Sequence, residues 1–307
     1  MFAQFGMLLD DGSQDVWQDF ERWIEIKGRS PHTRDQYGRV LVGLHRHASC
    51  TPLLEITRPQ VIAWLDDAKR AGKADNTRLT YWRNSRSWYS WAVRENWLAE
   101  SPAEGIGKPE VKPVLKTVLT AAELAAFPAA WKGSDFYSLR NRAIFELLRT
   151  FGTPRNAELC DLDVPDVEMR LSLIRIRNGK GGIARDIPFS ATTGRALTRY
   201  SAARRKVAIP GETAFFVNYM GRRLGNQGLR EICNVTAERA GISAHVHPHL
   251  WRHATWDVWQ RLGGSREDGE KLWGWRDGSG MPGYYAAASA GSRAIDAGRA
   301  LLIKAGL

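Results

Sequence analysis

Apolar positions recur at helical spacing through the first third of the chain. In DVWQDFERWIEIK (residues 15–27), Val16, Phe20, Trp23 and Ile24 share one face and Gly28 follows as a stop, which predicts an amphipathic helix. Ser30-Pro31 opens a second helix, SPHTRDQYGRVLVGLHRHA, striped by Tyr37, Val40, Leu41 and Leu44. Thr57-Arg58-Pro59 opens a third that Gly72 ends, and Asn76 is expected to cap a fourth, TRLTYWRNSRSWYSWAVRENW. No stretch before residue 105 alternates as a strand should, so a bundle of four or five helices is predicted there. The fourth helix interleaves Arg78, Arg83, Arg86 and Arg94 with Tyr81, Trp82, Trp88, Tyr89 and Trp91. Such a pattern suits phosphates and bases, but equally a core with solvated arginines, and most of the tryptophans are assigned to the core.

The period breaks in SPAEGIGKPEVKPVLKTV, where three prolines, two glycines and three lysines mark a basic linker. Beyond it, Thr120 caps LTAAELAAF and a long helix runs through RNRAIFELLRTF. A Gly-Thr-Pro turn then delivers Arg155 to the start of another helix with Glu158 one turn on. An arginine beside the free N–H groups of a helix start is well placed to meet phosphate. In LSLIRIRNGKGGIARDIPF, Leu171, Leu173, Ile174 and Ile176 alternate around a glycine turn, predicting a β-hairpin with Lys180 at its tip. Helices resume in TTGRALTRYSAARRKVA, with its Arg204-Arg205-Lys206, and in GNQGLREICNVTAERAGI. The fold class expected is mainly α: an N-terminal helical bundle, then a mixed, mostly α domain with a small antiparallel sheet.

Length and charge sharpen this picture. The 307 residues can form two domains, each burying its own core. The net charge is +11, and residues 109–307 carry +10 of it, so an anionic partner is inferred, although basic proteins without nucleic acid exist. Cys50, Cys160 and Cys233 are far apart and form no CxxC, which argues against a disulfide framework or a zinc knuckle. No apolar run approaches the roughly 20 residues of a membrane span, and the N-terminus has acids where a signal peptide needs bases. A soluble, intracellular protein is expected.

The chemistry concentrates between His249 and Tyr285, in HPHLWRHATW and KLWGWRDGSGMPGYYAAAS. His249 precedes Arg252 by three residues, and Trp275, Tyr284 and Tyr285 follow. Fixed positive charge, a hydrogen-bonding ring and a phenol able to attack phosphorus are the parts for handling a phosphodiester. A metal-binding alternative rests on the alternation of His245, His247 and His249, but no carboxylate or cysteine completes a set at ligand spacing.

The order Arg155 with Glu158, hairpin Lys180, His249-x-x-Arg252, Trp275 and a tyrosine at 284–285 resembles the tyrosine recombinases, or phage integrase family, from about residue 14 to the end. Thr153-Pro154-Arg155 stands where the family usually has Gly-Leu-Arg, Trp251 takes a leucine place while His253 is kept, and Trp275 stands where histidine is common. The resemblance implies a leader (1–13), a helical core-site DNA-binding domain (14–105), a linker (106–118) and a catalytic domain with a C-terminal tail helix (119–307). The leader is short for an arm-site domain, so a two-domain member is expected.

By the same resemblance, the tyrosine attacks a scissile phosphate to give a 3′-phosphotyrosyl intermediate and a free 5′-hydroxyl. Arg155 and Arg252 hold the non-bridging oxygens, Glu158 orients Arg155, and Lys180 protonates the leaving oxygen. His249 assists proton transfer or binds phosphate, and Trp275 donates its indole N–H. Neither cofactor nor metal is implied. The partners implied are double-stranded DNA at two recombination sites and further copies of the chain in a homo-tetramer that exchanges C-terminal tails; the tail folding back on its own domain is equally open. No membrane is involved, and the place is the cytoplasm of a bacterial host, at the nucleoid. For the nucleophile, an interval of nine residues from Trp275 favours Tyr284. The local frame, with Met281 four before and Ala286 after, favours Tyr285 and is given the greater weight. The function expected is a site-specific recombinase, an integrase of a phage or mobile element. A type IB-like topoisomerase and a non-catalytic DNA-binding protein are the alternatives.

Overall fold

A computed structural model describes residues 14–111, 119–242, 249–287 and 295. The leader, residues 112–118 of the linker, His245 and His247 of the metal alternative, and the expected tail helix, Ile295 excepted, lie outside the described residues. The chain divides into two compact units, residues 1–114 and 115–307.

In the first unit, α1 (Gln14–Ile26), α2 (Pro31–His47), α3 (Arg58–Arg70) and α4 (Asp75–Arg94) follow the apolar stripes. The start of α2 is set by Ser30, whose hydroxyl accepts the Thr33 N–H at 3.3 Å, and that of α3 by Gln60, whose carboxamide oxygen takes the Thr57 N–H at 2.8 Å. Asn76 does not cap α4. The chain is already helical at Asp75, behind Ala74, and the Asp75 carboxylate pairs forward with Arg78. Phe20 organises the core: its ring meets Trp91 edge-on at 4.8 Å and Tyr37 at 5.0 Å. Trp88, Tyr89 and Trp91 are buried, whereas Tyr81 stacks on Trp64 and Trp82 donates its indole N–H to the Ile106 carbonyl. Trp17 joins the buried set although the spacing did not mark it.

The second unit starts with α5 (Ala121–Ala129), capped by Thr120, and α6 (Phe136–Leu148), capped by Asp135. Helix α6 runs through the centre of its core, beside α8, with almost every residue from Ser138 onward buried. Short helix α7 (Asn156–Cys160) leads through a 3-10 turn into β1 (Val167–Glu168), β2 (Leu173–Ile176) and β3 (Arg185–Pro188). The strands form one antiparallel sheet in the order β1-β2-β3, with Ile174 opposite both Val167 and Ile187. Strand β1 was not expected, and β2 starts later than the alternation suggested. Leu171 is 64% exposed, and Ser172 adopts a positive φ of 55° that ends the turn before the strand.

Helices α8 (Ala191–Val207), α9 (Asn226–Arg239), α10 (His249–Arg261), α11 (Arg266–Trp273) and α12 (Met281–Ala287) complete the unit. In α8, Arg204 is not a solvated base: it is buried and donates to the Ala214 and Glu212 carbonyls at 2.7 Å each. Among the described residues, no helix is long and apolar enough to cross a membrane. Because the first unit closes on its aromatic cluster, Trp88→Ala is expected to cost about 3–5 kcal/mol, read as a lower urea midpoint. A loss below about 1 kcal/mol would show that the cluster is not the core.

Candidate active site

Three consecutive carbonyls at the end of α11 gather the charged residues. Helix termini leave such carbonyls without intrahelical partners, and the negative end of the helix dipole favours cations there. The Leu272 carbonyl accepts from Arg185 Nε at 2.9 Å, the Trp273 carbonyl from Arg252 Nη2 at 2.6 Å, and the Gly274 carbonyl from Arg155 Nη2 at 3.3 Å. Each arginine comes from a different element: Arg155 caps α7, Arg185 opens β3, and Arg252 lies in α10. Two glycines make the approach possible. Gly274 closes α11 in the left-handed region at φ 62°, and Gly152, at φ 77°, comes so near Leu272 that a Cβ there would lie 2.6 Å from its carbonyl oxygen.

One carboxylate serves this group. Glu158 Oε2 takes the Arg155 backbone N–H at 2.8 Å and Arg185 Nη2 at 2.7 Å. Its Oε1 takes Arg155 Nη1 at 2.6 Å and Arg185 Nη1 at 3.1 Å. Burial alone would raise the Glu158 pKa, but hydrogen bonds and charge from Arg185, then the charge of Arg155, outweigh it and hold the carboxyl at about 2. Arg252 is buried, and burial followed by the neighbouring Arg155 charge brings it down to about 9. It also donates to the Thr153 carbonyl, and Thr153 meets Thr255 of α10 through their hydroxyls at 2.9 Å.

An aromatic wall stands beside the arginines. Trp275 meets Trp256 at 4.8 Å and Tyr285 at 5.0 Å between ring centroids. The Tyr285 ring stacks on His253 at 3.9 Å with only 20° between planes. Tyr285 is 5% exposed, and its phenol acts electrostatically on Arg252. Tyr284, one residue earlier, is 51% exposed, with its ring 5.8 Å from that of His253.

The geometry thus brings Arg155, Glu158, Arg252, Trp275 and Tyr285 together. Lys180 is exposed in the turn between β2 and β3, and His249 is exposed at the first residue of α10, one turn before Arg252. Arg185 escaped the sequence reading, and His253, noted there as a kept motif residue, was given no role; here it stacks on Tyr285. For Arg185 a signal existed: it shares the inward face of β3 with buried Ile187, where an arginine must find a partner.

A model of the phage integrase family matches residues 117–291, and one described as phage integrase, N-terminal SAM-like domain, matches residues 18–96. Among curated relatives, tyrosine recombinase XerC of Corynebacterium efficiens is 33% identical over 255 residues, 81% of this chain and 80% of the relative. XerC of a Mycobacterium species (strain KMS) is 31% identical over 78% of this chain and 83% of its own length. Two solved structures share the fold. One is the Tn1549 transposon integrase in complex with transposon right end DNA, with a TM-score of 0.70, 19% identity, and 95% and 99% of the two chains covered. The other is a lambda integrase dimer bound to a core site, with a TM-score of 0.69, 17% identity, and 88% and 94% covered.

Since Glu158 is held well below an ordinary glutamate, its contribution to stability is complete above about pH 4.5 and is lost as pH falls toward about 2. Glu158→Gln is therefore expected to be about 3–5 kcal/mol less stable than wild type at pH 7, with the gap narrowing through that acid window. Denaturant midpoints measured across pH check this, and a gap that stays constant would contradict it.

Proposed function

Because this chain belongs to the phage integrase family, the tyrosine-type site-specific recombinases, we propose that it cuts and rejoins double-stranded DNA at two recombination sites through a covalent phosphotyrosine. The observation that carries the reading is the charge balance beside Tyr285: three guanidinia, those of Arg155, Arg185 and Arg252, gather at one helix end, and Glu158 pairs with two of them, Arg155 and Arg185. A surplus of fixed positive charge with little water suits a phosphodiester that gains negative charge in its transition state.

In the proposed reaction, the Tyr285 phenol oxygen attacks phosphorus, the bond to the 5′ oxygen breaks, and a 3′-phosphotyrosyl ester forms. Arg155 and Arg252 hold the non-bridging oxygens, where a planar guanidinium fits better than an ammonium. Lys180, on its exposed turn, supplies the proton to the leaving 5′ oxygen. Trp275 contributes its indole N–H, and His249 binds phosphate or assists the tyrosine. A 5′-hydroxyl from the second site reverses the step, so the bond energy is kept on the protein and no nucleotide cofactor is required. Residues 14–105 are assigned to DNA binding, residues 106–118 to the linker and residues 119–307 to catalysis. The proposed setting is the nucleoid of a bacterial host, and the proposed source is a phage or other mobile element, for which attachment sites flanking the gene would speak.

Tyr285 is preferred as nucleophile because its ring packs on Trp275 and on His253, the residue after Arg252 in α10. The exposure of Tyr284 and its interval of nine residues from Trp275 favour the alternative. On a nicked suicide duplex, Tyr285→Phe is expected to form no covalent protein–DNA adduct and Tyr284→Phe to retain it; the opposite outcome would reassign the nucleophile. Recombination between two sites, against mere relaxation of supercoils, separates this function from a topoisomerase. In the proposed tetramer, residues 296–307 pass to a neighbouring protomer, so their deletion is expected to abolish synapsis while cleavage persists. Synapsis that survived the deletion would remove the exchange.

A further inference from the structure

Arg185 is the most completely engaged charged side chain in the site, and its place shows why. Its side chain is 4% exposed, and all three guanidinium nitrogens donate: Nε to the Leu272 carbonyl, Nη1 and Nη2 to the two oxygens of Glu158. The chain reversal after α11 is shaped around it, since a Cβ on Gly274 would lie 3.0 Å from Nη1. Three of its five N–H groups are engaged and the side chain is buried, so it is not placed to contact DNA directly. Its effect must pass through the groups it holds.

Those groups are on the phosphate-binding side. Each Glu158 oxygen is divided between Arg155 and Arg185. With Arg185 absent, the carboxylate would face Arg155 alone, cancel its charge and draw its guanidinium away from a bound phosphate. We propose that Arg185 is a positioning residue that acts through Glu158: by taking half of that carboxylate's bonding it leaves the Arg155 charge uncompensated and its guanidinium aimed at the scissile phosphate. This deepens the recombinase reading and rests on it. A rival role follows from the chain: Arg185 also anchors the base of the hairpin that bears Lys180, so it could act on proton delivery instead.

Substrate chemistry separates the two roles. A methylphosphonate at the scissile position replaces one charged non-bridging oxygen by methyl and lessens the need for the arginine pair. A 5′-bridging phosphorothiolate provides a thiolate leaving group that departs without a proton and lessens the need for Lys180. The probe is a nicked suicide duplex built on the sequence that wild-type protein selects from randomised DNA, made with each linkage and with the plain phosphodiester. Arg185→Met is expected to bind this duplex as wild type does and to form the covalent adduct about 100-fold more slowly on the phosphodiester, the scale of loss for a misplaced catalytic group. Relative to wild type on the same substrate, that deficit should shrink on the methylphosphonate and persist on the phosphorothiolate, with Lys180→Ala showing the reverse pattern. Arg185→Lys, which keeps the charge but not the fork, should show the same pattern with a smaller loss and carries the test if the methionine variant does not fold. An equal deficit on all three substrates would reduce Arg185 to a structural residue, relief by the phosphorothiolate would move it to the hairpin, and no deficit would remove it; each overturns the proposal. Wild-type protein that formed no adduct on the phosphodiester would instead overturn the recombinase reading.

Discussion

The carbonyls of Leu272, Trp273 and Gly274, where α11 ends, are the constraint on which the second unit's chemistry depends. A helix that ends inside a protein must find donors for these groups, and here Arg185, Arg252 and Arg155 provide them in consecutive order. The same contacts solve a second problem, because three cations brought this close repel one another. The helix terminus offsets part of that repulsion, and Glu158 offsets more. What results is a cationic site assembled from α7, β3 and α10 before any anion arrives. Oriented charge of this kind needs no reorganisation when a transition state forms.

The aromatic wall has a complementary effect. Trp256, Trp273, Trp275 and Tyr285 form a cluster of their own, apart from the main core of the unit, and His253 closes it by stacking on Tyr285. Packing of this kind excludes water from one side of the arginines and so strengthens their field. Two departures from the family pattern are taken up by packing: Trp251 fills the main core between Phe127 and Phe145, and Trp275 links the wall to the tyrosine.

Much of this could be seen in the order of residues along the chain. Helical periodicity and capping signals marked the helices as far as α9 but not α10 or α11, and Arg155, Glu158, Arg252, Trp275 and the tyrosine pair stood in an order that resembles the family's. Arg185 was passed over although it lies two residues before Ile187 on the same face of β3; the acceptors that explain it, Glu158 and the Leu272 carbonyl, come from elements distant in sequence. The bonds to carbonyls were invisible in principle, because a backbone acceptor has no residue signature. Asn76 misled for a related reason: a good capping residue does not cap when the chain turns helical before it. Between Trp275 and the tyrosines, Gly278 and Gly280 permit the chain to absorb an extra residue, so spacing alone favoured Tyr284 while it is Tyr285 that is buried against His253 and Trp275.

The Glu158 carboxyl, held at about 2, and the Arg252 guanidinium, which stays charged up to about 9, make the site electrostatically constant across the range in which cells live. Its surplus charge is a fixed property of the fold, not a variable of the solution. Dependence of the reaction on acidity then belongs to the groups that carry protons, and a pH–rate profile reads those carriers without interference from the Glu158–arginine group.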